Sequence, residues 1–425
     1  MLASRSPGPD DAGGPAVIVD PYSSGALLAG EFRAAGVPVV AVLTAPQPPS
    51  VFAGTYRPDD FVDNIYSSGD DFDLTAQLRR WRPRCVLAGC DTGVELADTL
   101  AAELLPDLAH DPRLAFARRH KGRMAGALAA AGVAVPRQIT SNSIDEVEKW
   151  WTASGLEGSD LVVKPPEGAG TDSVNRVAAG TDWRPVFTGL LGTVNQVGIV
   201  NETVLVQEHL TGPEYVIDTV SLDGRHSIAS AGRYRKADNG PYMAVYDFME
   251  WLPPDAPEAE EVFGYTRSVL DALGYRYGPG HAEVMRTPAG CRLIEVAARP
   301  HGSEHSHLCR VANGDSQIDR LVRYFTGGGP APDGYVLQRP MRIVFLRARG
   351  TGILGNTRVM SGLRDLKSFH AGGLRVQDGA RVETTRGLFQ SLDIGVVVLS
   401  SPDAAQVEAD YETVRELEGR LRIAA

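Results

Sequence analysis

The sequence predicts a multidomain chain of α/β and α+β units, and three observations predict it. At 425 residues it is too long for one ordinary core, so two to four domains are expected. Its first hundred residues alternate short apolar strands with helical patterns, the signature of βαβ units. Further along, successive strands are joined by tight turns, and the last stretch changes to short strands punctuated by glycine.

Composition narrows the function. Hydrophobic residues make up 43% and charged residues 22%, as in an ordinary soluble globular protein. The net charge of −11 argues against a nucleic-acid partner and against binding to an anionic membrane surface. No apolar run approaches the roughly 20 residues that span a bilayer. Residues 1–14 are rich in Pro, Gly and Asp without an apolar stretch, so a frayed tail is expected and not a signal peptide. Cys85, Cys90, Cys291 and Cys309 have neither zinc nor thioredoxin spacing, and reduced thiols in a cytoplasmic protein are expected. No repeat of 20–50 residues is visible.

The elements follow in order. Ala16–Asp20 is a buried-strand pattern that runs through Pro21-Tyr-Ser-Ser-Gly25 into a helix over 26–35, ended by Gly36, with a second strand over 37–43. The turn is not G-x-G-x-x-G and is no dinucleotide site, though it can line a ligand crevice. A helix over 74–80, a strand over 85–89 and a helix over 94–104 complete an open α/β domain over 1–110. A helix over 113–131 carries Arg118, Arg119, His120, Lys121 and Arg123, a basic cluster of the kind that usually marks a solvated face. Ser143 is the expected N-cap of a helix over 144–154. The strand Leu161-Val-Val-Lys164 delivers a lysine at its end, and Gly168-Ala-Gly170-Thr171-Asp-Ser-Val174 follows. Such a loop offers backbone N–H groups to phosphate oxygens, although the pattern of a P-loop is absent. Strands are expected over 203–208, 215–221 and 227–236, with a hairpin turn at Asp223-Gly224. The Pro-, Tyr- and Asp-containing stretch 237–254 reads as a loop over a site. Helices are expected over 262–273 and 316–324, and a separate small α+β unit from Met341 onwards. The domains are thus expected at 1–110, 111–200, 201–330 and 331–425.

The stretch 281–302, His-Ala-Glu-Val-Met to Arg-Pro-His-Gly, organises the whole. It reads as a hairpin turning at Thr287-Pro-Ala-Gly290, with Glu283 in one strand and Glu295 in the other. Strict alternation puts Cys291, Leu293, Glu295 and Ala297 on one face. A carboxylate in an apolar strand costs roughly several kcal/mol unless it is paired or bound to a cation. Two facing carboxylates call for something positive between them. Mg²⁺ fits, being a hard ion that uses one or two carboxylates together with substrate phosphates. Arg299 adds a fixed cation suited to a phosphate or acyl phosphate.

In their order, Lys121, V-V-K-P with its Gly loop, V-Q-E-H-L-T-G-P-E-Y, H-A-E-V-M and L-I-E-V-A-A-R-P resemble the ATP-grasp superfamily. Within it they resemble the L-amino-acid ligases, which join two amino acids into a dipeptide. The resemblance covers nearly the whole chain. It implies an ATP-grasp fold behind a Rossmann-like domain, and an ATP-dependent carboxylate–amine ligase that works through an acyl phosphate and releases ADP. Lys121 and Lys164 match the lysines on the ATP phosphates. Gly168, Gly170 and Thr171 lie in the segment matching the loop that closes over them. Gln207, Glu208 and Leu210 match the adenine hinge, and Glu214 the acid that bonds the ribose hydroxyls. Glu283 and Glu295 match the Mg²⁺ ligands, with Mn²⁺ as a substitute, and Arg299 the arginine on the transferred phosphoryl group. The resemblance also implies small-molecule carboxylate and amine substrates and a homodimer. One position departs. Many relatives have E-x-N-x-R with a metal-binding Asn, where this chain has Ala297.

Three other readings compete. His301-Gly-Ser-Glu304-His305 matches H-x-x-E-H, a zinc-peptidase pattern that needs one continuous helix; Pro300 and Gly302 stand against it. The histidines, with His307, otherwise mark the edge of the substrate pocket. A non-catalytic nucleotide-binding module would not need Lys121, Lys164, Glu283, Glu295 and Arg299 together. A ligase for a carboxylate or amine that is not an α-amino acid is the remaining alternative.

Overall fold

The computed structural model describes residues 13–67, 69, 71–240, 242–330 and 332–424, so most of the tail expected over 1–14 lies outside the described residues. The first sheet comprises β1 (Ala16–Val19), β2 (Val39–Leu43), β3 (Asp63–Tyr66) and β4 (Cys85–Ala88), parallel and ordered β3-β2-β1-β4. It alternates with α1 (Ser24–Ala34), α2 (Asp71–Arg79) and α3 (Val94–Leu104). β3 escapes the sequence pattern because it is a polar edge strand burying only Ile65. At the carboxyl ends of the central strands the buried Asp20 carboxylate accepts hydrogen bonds from the Thr44 amide and the Thr44 and Thr92 hydroxyls. This fixes three turns relative to one another. Gly25 and Gly89 let two of them touch: a Cβ on Gly25 would lie 2.5 Å from the Gly89 Cα.

The helix expected over 113–131 is instead two short 3₁₀ turns followed by α4 (Lys121–Ala130). The His120 Nδ1 caps α4 by accepting from the Gly122 and Arg123 amides. Nor is the basic cluster a solvated face. Arg118 is buried, with its guanidinium 2.7 Å from Asp98 and bonded to the Leu273 and Asp111 carbonyls; Arg119 is buried and donates to the Glu167 carbonyl. Consecutive buried arginines cannot both lie on one face of a regular helix, and the break in the helix accommodates them.

A second sheet follows, ordered β5-β8-β6-β7, from β5 (Gln138–Ser141), β6 (Leu161–Lys164), β7 (Asn175–Val177) and β8 (Val204–Glu208). It is covered by α5 (Ile144–Ala153) and α6 (Arg184–Leu190) around a core that includes Val147, Trp183 and Phe187. Ser143 caps α5 as expected, accepting from the Glu146 amide.

The third sheet positions the site. Its strands are β9 (Glu214–Leu222), β10 (Arg225–Asn239), β11 (Tyr242–Trp251), β12 (Gly278–Thr287), β13 (Gly290–Ala297), β14 (Met341–Phe345), β16 (Phe369–Leu374) and β18 (Gly395–Ser400). The order is β13-β12-β9-β10-β11-β14-β18-β16. The remaining strands β15 (Gly352–Gly355), β17 (Arg381–Val382) and β19 (Arg422–Ala424) form a small sheet of their own. The helices are α7 (Ala259–Ala272), α8 (His305–Asn313), α9 (Gln317–Phe325), α10 (Leu388–Ile394) and α11 (Ala404–Gly419). Two expectations are corrected. The stretch 237–254 is no loop over the site: most of it is β11, paired to β10 and β14 and contributing Tyr246, Met249 and Trp251 to a core. The residues from Met341 do not stand apart either, because β14, β18 and β16 continue the same sheet. Among the described residues no helix is long and apolar enough to cross a membrane.

His110 ties the first domain to this sheet. Its Nδ1 accepts the Arg276 amide at 3.0 Å, and its ring packs on Tyr275. Burial, then the nearby Arg118 charge, pushes the imidazole well below its ordinary value of 6.5, so the folded protein holds it neutral. The unfolded chain takes up a proton here below about pH 6.5 that the folded chain refuses. Stability from this residue is therefore complete above that pH and falls as pH drops, by about 1.4 kcal/mol per pH unit. Urea midpoints between pH 7.5 and 5.5 should show the loss, and His110→Gln should flatten the slope by about one proton. An unchanged slope would mean that His110 takes up its proton in the folded state.

Candidate active site

The hairpin turns where expected, Thr287 pairing with Gly290, and Glu283 faces Glu295 across it. The strict alternation fails at one place. The register slips between Glu283 and Val284, so Val284 faces Leu293 and Ile294 is the extra residue of a β-bulge. Cys291, Leu293 and Val296 therefore pack into the core with Ala282 and Val284. Glu295 is turned off the Leu293 face and onto that of Glu283. Without the bulge the two carboxylates could not share a face.

That face is crowded with charge. The Lys121 ammonium lies 2.5 Å from Glu295 and 3.1 Å from the Gly168 carbonyl. Burial, reinforced by Glu295 beside it, raises the Glu283 carboxyl above its usual range. Burial acts the same way on Glu295, but Lys121 overrides it, with Arg299 and Lys164, and holds that carboxyl low. Lys164, at the end of β6, is buried and forms no ion pair among the described residues. Burial first, and Lys121 second, pushes its ammonium down to about 8. Glu214 is not a surface charge: it is buried, 2.6 Å from the Lys236 ammonium, which also lies 4.6 Å from the centre of the Tyr246 ring. Lys236 is the residue the sequence reading did not single out, although Tyr234 and Lys236 alternate inward along β10.

Arg299 is anchored from the first domain. Its Nε donates to Asp91, at the turn after β4, at 3.0 Å, and Nη1 donates to the Pro300 carbonyl. The Ser24 hydroxyl donates to the same carbonyl, and the Ser303 amide donates to the Ser23 hydroxyl. The turns at the carboxyl ends of β1 and β4 thus close against the loop after β13, as a ligand crevice requires. The Gly loop lies over the site. Gly170 and Thr171 have φ of +64°, and a Cβ on Gly170 would meet the Phe389 ring at 2.8 Å, so only glycine lets α10 approach. Of the residues expected at the adenine hinge, Gln207 is buried in β8, Leu210 is half-buried, and the Glu208 carboxylate is taken by Arg137.

The zinc-peptidase geometry is absent. α8 begins only at His305, Ser303 has φ +59°, and Glu304 turns to His307. His301 and His305 instead converge on Asp218, a buried residue of β9, together with His281. A cleft of about 890 Å³ beside α4 and the 199–203 segment is lined by none of Lys164, Glu283, Glu295 or Arg299.

The ATP-grasp domain description matches residues 158–307. Dapdiamide A synthase of Enterobacter agglomerans is 30% identical over 318 residues, 72% of each chain. The chain belongs to the ATP-grasp family. It is an ATP-dependent carboxylate–amine ligase, forming C–N bonds with release of ADP. An L-amino acid ligase from Bacillus licheniformis superposes on this ATP-grasp ligase with a TM-score of 0.69 at 18% identity, covering 97% of this chain and 99% of that one. An N5-carboxyaminoimidazole ribonucleotide synthetase from Thermotoga maritima does so at 0.64 and 14%, covering 97% and 99%. At such identities these two share the ATP-grasp fold.

Proposed function

We propose that this ligase joins two amino acids, or amino-acid-like acids and amines, with Glu283 and Glu295 holding Mg²⁺ or Mn²⁺. The observation that carries the proposal is an opposed pair of carboxylates, Glu283 buried and Glu295 half-buried, beside a buried lysine that has no ion-pair partner among the described residues. Buried like charges are tolerable where an ion of opposite sign fits between them, and a buried unpaired ammonium where an anion does. The residues present suit both a divalent cation and a triphosphate.

In this reading Lys121 and Lys164 take the phosphate oxygens as point charges, and the 168–174 loop supplies backbone N–H groups over them. The hinge around Glu208 and Leu210 faces the adenine, and Glu214 takes the ribose hydroxyls while Lys236 holds it in place. The cation, when bound, neutralises charge on the phosphates. Arg299, held by Asp91, steadies the phosphoryl group as it moves to the substrate carboxylate, and then the acyl phosphate that the amine attacks. The packed Gly loop keeps water from that intermediate. The crevice lined by Ser23, Ser24 and the 299–303 loop receives the substrates. The enzyme works in the cytoplasm, where its four buried cysteines stay as the free thiols they are here, and it assembles as a homodimer.

Phosphate release with ATP and Mg²⁺ over single and paired amino acids tests the substrate reading. Pair-dependent release, with ADP and a condensed product found by mass spectrometry, is the expected result. If the same assay succeeds only with carboxylates or amines that are not amino acids, the substrate class is wrong and the chemistry stands.

A further inference from the structure

We infer that His281 is a third protein ligand of the divalent cation, through Nε2, standing in for the donor that Ala297 cannot supply. The inference rests on the reading of Glu283 and Glu295 as the metal pair. Register gives the first support. His281 faces Ala297 across the hairpin, two residues before Glu283 in β12, and so shares the face of the Glu283–Glu295 pair. An alanine methyl offers no donor atom, and an imidazole stands directly opposite.

The second support is the nitrogen itself. His281 is 4% exposed, and its Nε2 lies 3.9 Å from Glu283 Oε1 without a hydrogen-bond partner among the described residues. That nitrogen is not among the sealed, partnerless atoms of the interior, so its lone pair is open to the site, and a cation shared with Glu283 would engage it. The third is the other ring nitrogen. Nδ1 lies 2.8 Å from Asp218 Oδ1. Facing a carboxylate, Nδ1 carries the proton, which leaves the lone pair on Nε2. Metal-bound histidines are oriented by a carboxylate in this way. Asp218 is itself immobilised: the Ser230 hydroxyl donates to Oδ2 at 2.9 Å, and His301 Nδ1 and His305 Nε2 each lie 3.0 Å from it. Asp218 is therefore a positioning residue.

The cluster does not look like a metal centre of its own. Ligand-capable atoms of Asp218, His281 and His301 lie within 4.8 Å of one another, but the Asp218 oxygens and both Nδ1 atoms are already engaged with each other. A cation among them would break those contacts, whereas His281 Nε2 has none to lose. A set of one imidazole and two carboxylates also differs in preference from an all-oxygen set: it favours Mn²⁺ over Mg²⁺.

The test is electron spin-echo spectroscopy of the full-length protein with ADP and substoichiometric Mn²⁺, at natural abundance and with ¹⁵N-imidazole histidine. A ¹⁴N modulation replaced by ¹⁵N on labelling is expected. It should vanish in His281→Gln, and Asp218→Asn should weaken Mn²⁺ binding by about 10- to 100-fold. Should His281→Gln fail to fold, Ala297→Asn serves instead, the added oxygen donor shifting preference toward Mg²⁺. Bound Mn²⁺ that shows no histidine nitrogen, or keeps it in His281→Gln, overturns the inference and leaves the carboxylate reading intact. No Mn²⁺ binding with ADP would overturn both.

Discussion

Glu295→Ala should lower ADP-forming turnover by about 10³-fold or more, the several kcal/mol that a correctly held cation contributes to phosphoryl and acyl transfer. Glu295 is the one of the pair that Lys121 keeps ionised, at 2.5 Å, while its neighbour is driven toward the neutral form. Removing it takes away the resident negative charge that receives the cation. It also leaves Lys121 without its carboxylate, next to a lysine already lacking one. ADP without metal should still bind, because Lys121, Lys164 and the Gly loop remain and the electrostatic field over the phosphates becomes more positive. Phosphate release together with metal-free ADP titration checks both halves. Turnover above a tenth of wild type would remove Glu295 from the metal site. Loss of ADP binding with the fold intact would show that Glu295 organises the phosphate cradle instead.

What the sequence could reveal of this arrangement divides along physical lines. The turn at Thr287–Gly290 is local, set by a two-residue loop, but pairing counted outward from it would set Glu283 opposite Ile294, so the opposition of Glu283 and Glu295 depends on the bulge. The bulge at Ile294 is not legible, because Leu-Ile-Glu-Val reads equally well as unbroken alternation; only the packing of Leu293 and Val296 into one core decides it. β11 was hidden because its partner β14 lies about 90 residues away, and Pro, Tyr and Asp made the stretch resemble a loop. Arg118 and Arg119 looked like a solvated cluster since Asp98 and the Glu167 carbonyl, which receive them, belong to other elements. Asp218 sits in an apolar run with no local sign of its three histidines, which are 63 to 87 residues downstream. Ion pairs and cores that form across domains thus carry most of what the sequence did not disclose.

Arg299→Ala should cost about 10³- to 10⁵-fold in kcat, the range for an arginine that meets a phosphoryl group in flight. Two of its donors are committed to Asp91 and the Pro300 carbonyl, while Nη2 has no partner among the described residues. The guanidinium is thus oriented by the first domain and offers one arm to the reaction. Arg299→Lys keeps the charge but lacks the planar fork whose separate nitrogens hold Asp91 and meet a phosphoryl oxygen, so it should recover only part of the rate. Asp91→Asn leaves Arg299 in place with its orientation loosened, and a misplacement of about 1 Å costs about 10²-fold. The order of damage, Arg299→Ala above Arg299→Lys above Asp91→Asn, separates this account from a structural one. Were Arg299 only a strut between domains, Asp91→Asn would match Arg299→Ala, and both would lower the melting temperature together with kcat. Single-turnover phosphate release, measured beside thermal unfolding of the three variants, distinguishes the two orders.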